Sequence, residues 1–318
     1  MSGAPAGVSR LLDEVFRHQP EDFGLTLATV VMHGGRIIAE GYGPDTSPTT
    51  ALLSWSTAKS ITHALAGILV GAGRLRVDAS AAALGVPEWR GEADPRQTIT
   101  IDHLLHMSDG LAFTEDYVDA GVSDVIEMLF GAGQHDVAHF AADRPLAHPP
   151  GTFWNYSSGT TNIVARVLGT LVADMATFMR ESLFQPVGMI SAQPTFDDAG
   201  TFVGSSYVHA TARDFARFGQ LYLRDGLVEG ERILPEGWVD HARTPAPACP
   251  TGEYGAHWWL HPSSPWGTFS ADGYEGQYIH VVPDLDTVIV RLGKTDASLR
   301  PGVEAWLEEI AAAVADSV

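Results

Sequence analysis

Cysteine and lysine are among the side chains this chain has least of. One cysteine, Cys249, stands among 318 residues, so an internal disulfide is excluded, and its setting between Pro247 and Pro250 reads as an inert loop thiol. Positive charge is scarce too: 19 Lys and Arg against 39 Asp and Glu give a net charge of −20. That field argues against nucleic acid and against anionic membrane surfaces. It suits a cationic or neutral substrate, and equally a chain that needs only solubility. No run reaches the ~18 apolar residues of a membrane span. Met1 to Val8 lacks a basic stretch followed by an apolar one, so no signal peptide is expected and a cytoplasmic address is. Of the 19 basic residues, 17 are Arg and two, Lys59 and Lys294, are Lys. Arginine supplies permanent charge but cannot be deprotonated in a protein, so it cannot serve as a base.

One of the two lysines lies in Leu52-Leu53-Ser54-Trp55-Ser56-Thr57-Ala58-Lys59-Ser60, just before the apolar run Ile61 to Val70. If that run is a buried helix, Ser56 and Lys59 sit at i and i+3 on one face, about a turn apart. A hydroxyl and an amine held so close can share a proton. At a free pKa near 10.4 only about one lysine in 2,500 is neutral at pH 7, so a lysine base needs burial to bring it toward neutrality. The apolar helix start supplies such a setting.

With 318 residues and 45% hydrophobic content, the chain can bury a large core. Ser9 to His18 reads as an amphipathic helix. Thr26 to His33 and Arg36 to Tyr42 read as a hairpin turned at Gly34-Gly35. From Val77 to about Thr201 short helical segments dominate, at Ile101–His106, Val122–Phe130, Val137–Ala142 and Thr161–Met179. A helix at Ala212–Leu223 follows, then strand-like runs at Tyr254–Leu260, Gln277–Val282 and Thr287–Leu292, and a closing helix at Val303–Val314. The expected architecture is α+β: one antiparallel sheet built from residues 1–76 and 202–318, flanked by helices, with an inserted all-helical lobe over 77–201 and a cleft between.

Two further stretches could reach that cleft. In Trp154-Asn155-Tyr156-Ser157-Ser158-Gly159 a tyrosine precedes a helix, where a neighbouring ammonium would lower its pKa; Ser158 could equally be an N-cap. In Ser270-Ala271-Asp272-Gly273-Tyr274-Glu275-Gly276-Gln277 the glycines allow close backbone approach at the entry to a strand, as presentation of a peptide N–H to a substrate oxygen requires.

The order Ser-x-x-Lys, Tyr-x-Ser and Gly-rich strand edge resembles the serine β-lactamase and penicillin-binding-protein superfamily. The resemblance is nearest to class C type β-lactamases, esterases of that fold and 6-aminohexanoate-dimer hydrolases. It extends through Gly73–Asp78, Ile99–Leu111, His209–Asp214 and Ile233-Leu234-Pro235. It implies the β-lactamase/transpeptidase-like fold, with Ser56 as nucleophile, Lys59 as its base and Tyr156 as the relay to the leaving group. The backbone N–H groups of Ser56 and Tyr274 would form the oxyanion hole, and no cofactor is implied. Ser158 stands where many relatives have Asn. Ala271-Asp272-Gly273 stands where β-lactamases carry Lys-Thr-Gly or His-x-Gly to hold a carboxylate. An aspartate there should repel that group, which favours a small neutral ester or amide, or a substrate carrying an amine. The alternatives are a β-lactamase or D-alanyl peptidase, and a catalytically idle binding protein on the same scaffold.

Ser158, Asp272, Gly273, Tyr117 and Trp258 are the candidate substrate contacts, the two aromatics being equally good core residues. No metal site is expected: His103/His106 and His135/His139 have suitable spacings but no evident third ligand. Gly293-Lys294-Thr295 lacks the glycine-rich loop of a phosphate site, and there is no Gly-x-Ser-x-Gly elbow. No feature specifies an oligomeric state.

Overall fold

The first hairpin forms as its sequence dictates. In the computed structural model, which describes residues 4–19, 21, 23–91, 93–117 and 123–317, strands β1 (Leu25–His33) and β2 (Arg36–Tyr42) pair antiparallel. Gly34 and Gly35 take the positive φ values, 56° and 76°, that a two-residue turn demands. The remaining strands are β3 (Leu52–Leu53), β4 (Gln193–Pro194), β5 (Val208–Ala210), β6 (Leu227–Val228), β7 (Glu231–Arg232), β8 (Trp259–Leu260), β9 (Phe269–Gly273), β10 (Gln277–Val282) and β11 (Thr287–Lys294). The main sheet runs β2-β1-β11-β10-β9-β8, all antiparallel. Its centre is the pairing of β1 with β11, Val30 opposite Val290, so both ends of the chain build one sheet.

The helices are α1 (Ala6–His18), α2 (Ala58–Gly71), α3 (Ala81–Leu84), α4 (Ile101–Leu105), α5 (Asp124–Phe130), α6 (Val137–Ala142), α7 (Ser158–Thr170), α8 (Met175–Met179), α9 (Gln185–Val187), α10 (Ala212–Leu223), α11 (Trp238–Arg243) and α12 (Arg300–Ala315). Alternation along the central strands separates two cores. Val31, Tyr278 and Ile289 pack under α1 and α12. Val30, Ile279, Val288 and Val290 join the larger core with α2, α10 and the helices of the middle segment. Nearly every residue of α2 is buried, from Ala58 through Gly67 without a break, the pattern of a helix in a protein's centre. None of the described helices is long and apolar enough to cross a membrane by itself.

Four boundaries differ from the sequence reading. The run Thr161–Met179 is two helices, α7 and α8, because Asp174 caps a new helix by accepting from the Thr177 N–H at 2.7 Å. Tyr254–Leu260 is a strand only at Trp259–Leu260, the backbone at His257 having turned to φ 57°. Ser270–Gly273 is itself strand, so the glycine-rich stretch is a hairpin, β9 to β10, rather than an approach to one strand. Val122 lies outside the described residues, and the helix expected there begins at Asp124.

Candidate active site

The Ser56 turn is fixed before the helix begins. Ser54 N–H donates to the Val208 carbonyl, and Ser54 Oγ donates to the Ser206 carbonyl and accepts from the Val208 N–H. Trp55 then adopts φ 46°, a conformation costly for a bulky residue and met mainly where surrounding contacts over-determine the backbone. A short 3₁₀ turn over Trp55–Thr57 carries Ser56 onto the start of α2. Ser56 is 8% exposed and Lys59 1% exposed.

Lys59 Nζ lies 3.0 Å from Ser56 Oγ, 2.9 Å from Ser158 Oγ and 3.1 Å from the Ser205 carbonyl. Burial lowers the lysine to about 8, against an opposing pull from the Glu115 carboxylate, so about one in ten is neutral at pH 7. The hydrogen-bond roles then follow by elimination. A neutral amine has two N–H bonds and a lone pair. The Ser205 carbonyl only accepts, so it takes one N–H. Ser158 donates its own proton to Glu115 Oε1 at 2.5 Å, so it accepts the other. In the neutral form the lone pair therefore faces Ser56, whereas the ammonium donates to all three oxygens.

Tyr156 places its ring 4.7 Å from Lys59 Nζ and packs at 5.4 Å against Trp259 and 5.7 Å against Tyr254. Its phenol differs from the sequence expectation. Burial pushes its pKa well above the usual tyrosine value, Glu115 adds to that, and the hydrogen bond with Ser56 only partly offsets them. The expected lowering by a neighbouring ammonium is absent, so the phenol holds its proton.

Ser157, rather than Ser158, caps α7 by accepting from the Thr160 N–H. Ser158 is released to join Lys59 and Glu115, and Glu115 Oε2 also accepts the Ser158 N–H at 2.7 Å. Burial raises the Glu115 carboxyl while Lys59 draws it back down.

Gly273 approaches the Ser56 turn so closely that a Cβ there would stand 2.7 Å from the Ser54 carbonyl oxygen. The next residue, Tyr274, stacks on Tyr117 at 4.6 Å and meets Trp55 edge-on at 5.3 Å. Ser56, Glu115, Tyr117, Tyr156, Gly273 and Tyr274 border a cavity of about 220 Å³ that is completed by Trp259, Asp272 and Arg300. Trp258 is not a wall residue: it is fully buried and stacks on Phe218. The neighbouring Trp259, at the start of β8, borders the cavity instead.

Asp272 is not an isolated negative charge. Ser270 donates to it at 2.6 Å, and the Arg300 guanidinium stands 4.0 Å away, so the expected repulsion of a carboxylate is offset by a cation from the start of α12. Glu115, the Ser205 carbonyl and Arg300 are the positions of this candidate site that the sequence reading missed. Only Glu115 carried a signal, as an acidic residue two before the singled-out Tyr117; a backbone carbonyl carries none.

The profile of the Beta-lactamase family matches residues 12–314. A 6-aminohexanoate-dimer hydrolase of Paenarthrobacter ureafaciens is 29% identical over 291 residues, covering 84% of this chain and 72% of its own. Penicillin-binding protein 4 of Amycolatopsis lactamdurans is 26% identical over 312 residues, covering 84% and 76%. Among solved structures, a Bacillus anthracis protein described as a candidate 6-aminohexanoate-dimer hydrolase superposes with a TM-score of 0.81 at 23% identity, over 95% of this chain and 81% of its own.

Proposed function

The chain belongs to the beta-lactamase family of serine hydrolases, and from that premise we propose that it cleaves a small ester or amide through an acyl-enzyme. The observation that carries this reading is the Lys59 amine, buried, lowered to about 8 and 3.0 Å from Ser56 Oγ. Neutral Lys59 takes the Ser56 proton as the oxygen attacks the carbonyl carbon. The Ser56 and Tyr274 N–H groups hold the tetrahedral oxyanion, each donor of this kind being worth about 3 kcal/mol. Tyr156, which keeps its proton, hands it to the departing alcohol or amine, and the lysine ammonium resupplies the phenol. Water then enters the same geometry, and Ser56 leaves with its proton restored.

The cavity suits a small acyl group, since sites for drug-sized ligands run from about 300 Å³ upward. The 6-aminohexanoate relative supports linear amides as the first substrates to try. A panel of p-nitrophenyl esters, 6-aminohexanoate oligomers and nitrocefin on purified protein tests the assignment. Turnover of esters or amides is expected to vanish in Ser56→Ala and Lys59→Arg while circular dichroism stays unchanged. Activity retained in Lys59→Arg would remove the assigned base, and nitrocefin turnover matching ester turnover would favour a β-lactamase. Failure of a fluorescent phosphonate to label Ser56 would leave the idle-scaffold reading.

A further inference from the structure

The fold brings together a set of metal-capable side chains that are distant in sequence. Asp102 and His106 lie at i and i+4 around α4, on one helical face, and His241 comes from α11, more than a hundred residues later. His241 Nε2 is 2.9 Å from Asp102 Oδ1, and His106 Nδ1 is 3.1 Å from that same oxygen. The three donor atoms all lie within 4.8 Å of one another, the one group of three such residues found among the described residues. We propose that Asp102, His106 and His241 bind a zinc-type divalent transition-metal ion that clips α4 to α11.

The donor spacing fits such an ion. Tetrahedral zinc with N and O bonds near 2.0–2.2 Å holds its ligand atoms about 3.3 Å apart, so the two short separations need open only by a few tenths of an ångström. Two imidazoles and one carboxylate select zinc-like cations over magnesium or calcium, which prefer all-oxygen shells. Asp102 is 43% exposed and His241 20%, while His106 is buried. The ion would therefore have an entry path on one side, with room for water as a fourth ligand.

The surroundings support the ring orientations. His63, on α2 one turn beyond Lys59, is fully buried. Its Nε2 meets His241 Nδ1 at 3.1 Å, and its Nδ1 meets the Tyr222 hydroxyl at 2.7 Å. With a metal on Nε2, His241 donates from Nδ1 to His63, which donates onward to Tyr222, an outer chain of the kind that orients histidine ligands. His106 Nε2 is buried without a hydrogen-bond partner among the described residues, so it can carry the ring proton once Nδ1 gives up its 3.2 Å contact with the Asp102 backbone carbonyl to take the metal. Trp238 and His241 stack at 4.6 Å, and Trp238 stacks on His63 at 4.6 Å, which makes α11 a rigid support.

The test uses the full chain, stripped with EDTA and titrated with ZnCl₂ by calorimetry, beside His241→Gln and Asp102→Asn. The proposal expects one Zn²⁺ per chain, accompanied by proton release. It expects affinity to fall in both variants by at least the roughly 10- to 100-fold that loss of an outer-shell partner costs. Zinc should also raise the melting temperature of the parent chain by several degrees at about a hundred-fold excess over Kd, and of neither variant. Absence of saturable binding, or equal binding in the variants, overturns it. Asp102 is half-exposed, so Asp102→Asn keeps the test decisive should His241→Gln fail to fold. The result is independent of hydrolysis, because none of these residues borders the Ser56 cavity.

Discussion

At the residue scale one buried amine stands out. Lys59 is lowered to about 8 by burial, and Glu115, reached through Ser158, opposes that lowering. A general base must be unprotonated, so kcat/KM should climb as pH rises through about 8 and level off above it. Glu115→Gln removes the charge that favours the ammonium, so the same limb should move to lower pH while Ser56 labelling persists. A pH–rate profile of both proteins checks this. A limb that stays in place in Glu115→Gln would show that the carboxylate does not act on Lys59.

The decisive element is the edge of the β9–β10 hairpin. Gly273 touches the backbone that presents Ser56, and only the absence of a side chain permits that approach. Gly273→Ala should push the Tyr274 peptide away from the nucleophile and lower kcat by about 10²-fold or more, as loss of one oxyanion donor does. KM and the far-UV spectrum should change little. Equal kcat in the variant would remove Tyr274 from the oxyanion assignment. The hairpin also explains why this stretch read as a strand entry. Asp272 and Gly273 are poor strand formers, and what holds them in β9 is pairing with Gln277 and Tyr278.

Across the whole molecule, Arg291 ties the two chain ends to the site. Fully buried on β11, its guanidinium donates to the Glu275 and Gly276 carbonyls of the hairpin turn, to the Leu25 carbonyl and Thr26 hydroxyl of β1, and to Thr295. Burial lowers it to about 10, still charged at neutral pH. Arg291→Met leaves those acceptors buried and unpaired at about 1–3 kcal/mol each before relaxation. Denaturant unfolding should therefore show a loss of at least about 3 kcal/mol. Arg291→Lys should not restore it, since one ammonium cannot span a fork of contacts. Full stability in Arg291→Met would contradict this role.

Local pattern determined what depends on near neighbours: the Gly34-Gly35 hairpin, the buried helix α2, and the one-turn spacing of Ser56 and Lys59, all of which follow from backbone periodicity and side-chain type. The order of three short motifs was enough to suggest the fold. Contacts made across the chain were decided only in three dimensions. Glu115 reaches Lys59 through Ser158, Arg300 stands beside Asp272, and His241 meets Asp102 and His106, because packing of the two cores brought distant backbone segments together. Tyr156 makes the same point: spacing could place it near an ammonium, but only its burial determines that it keeps its proton.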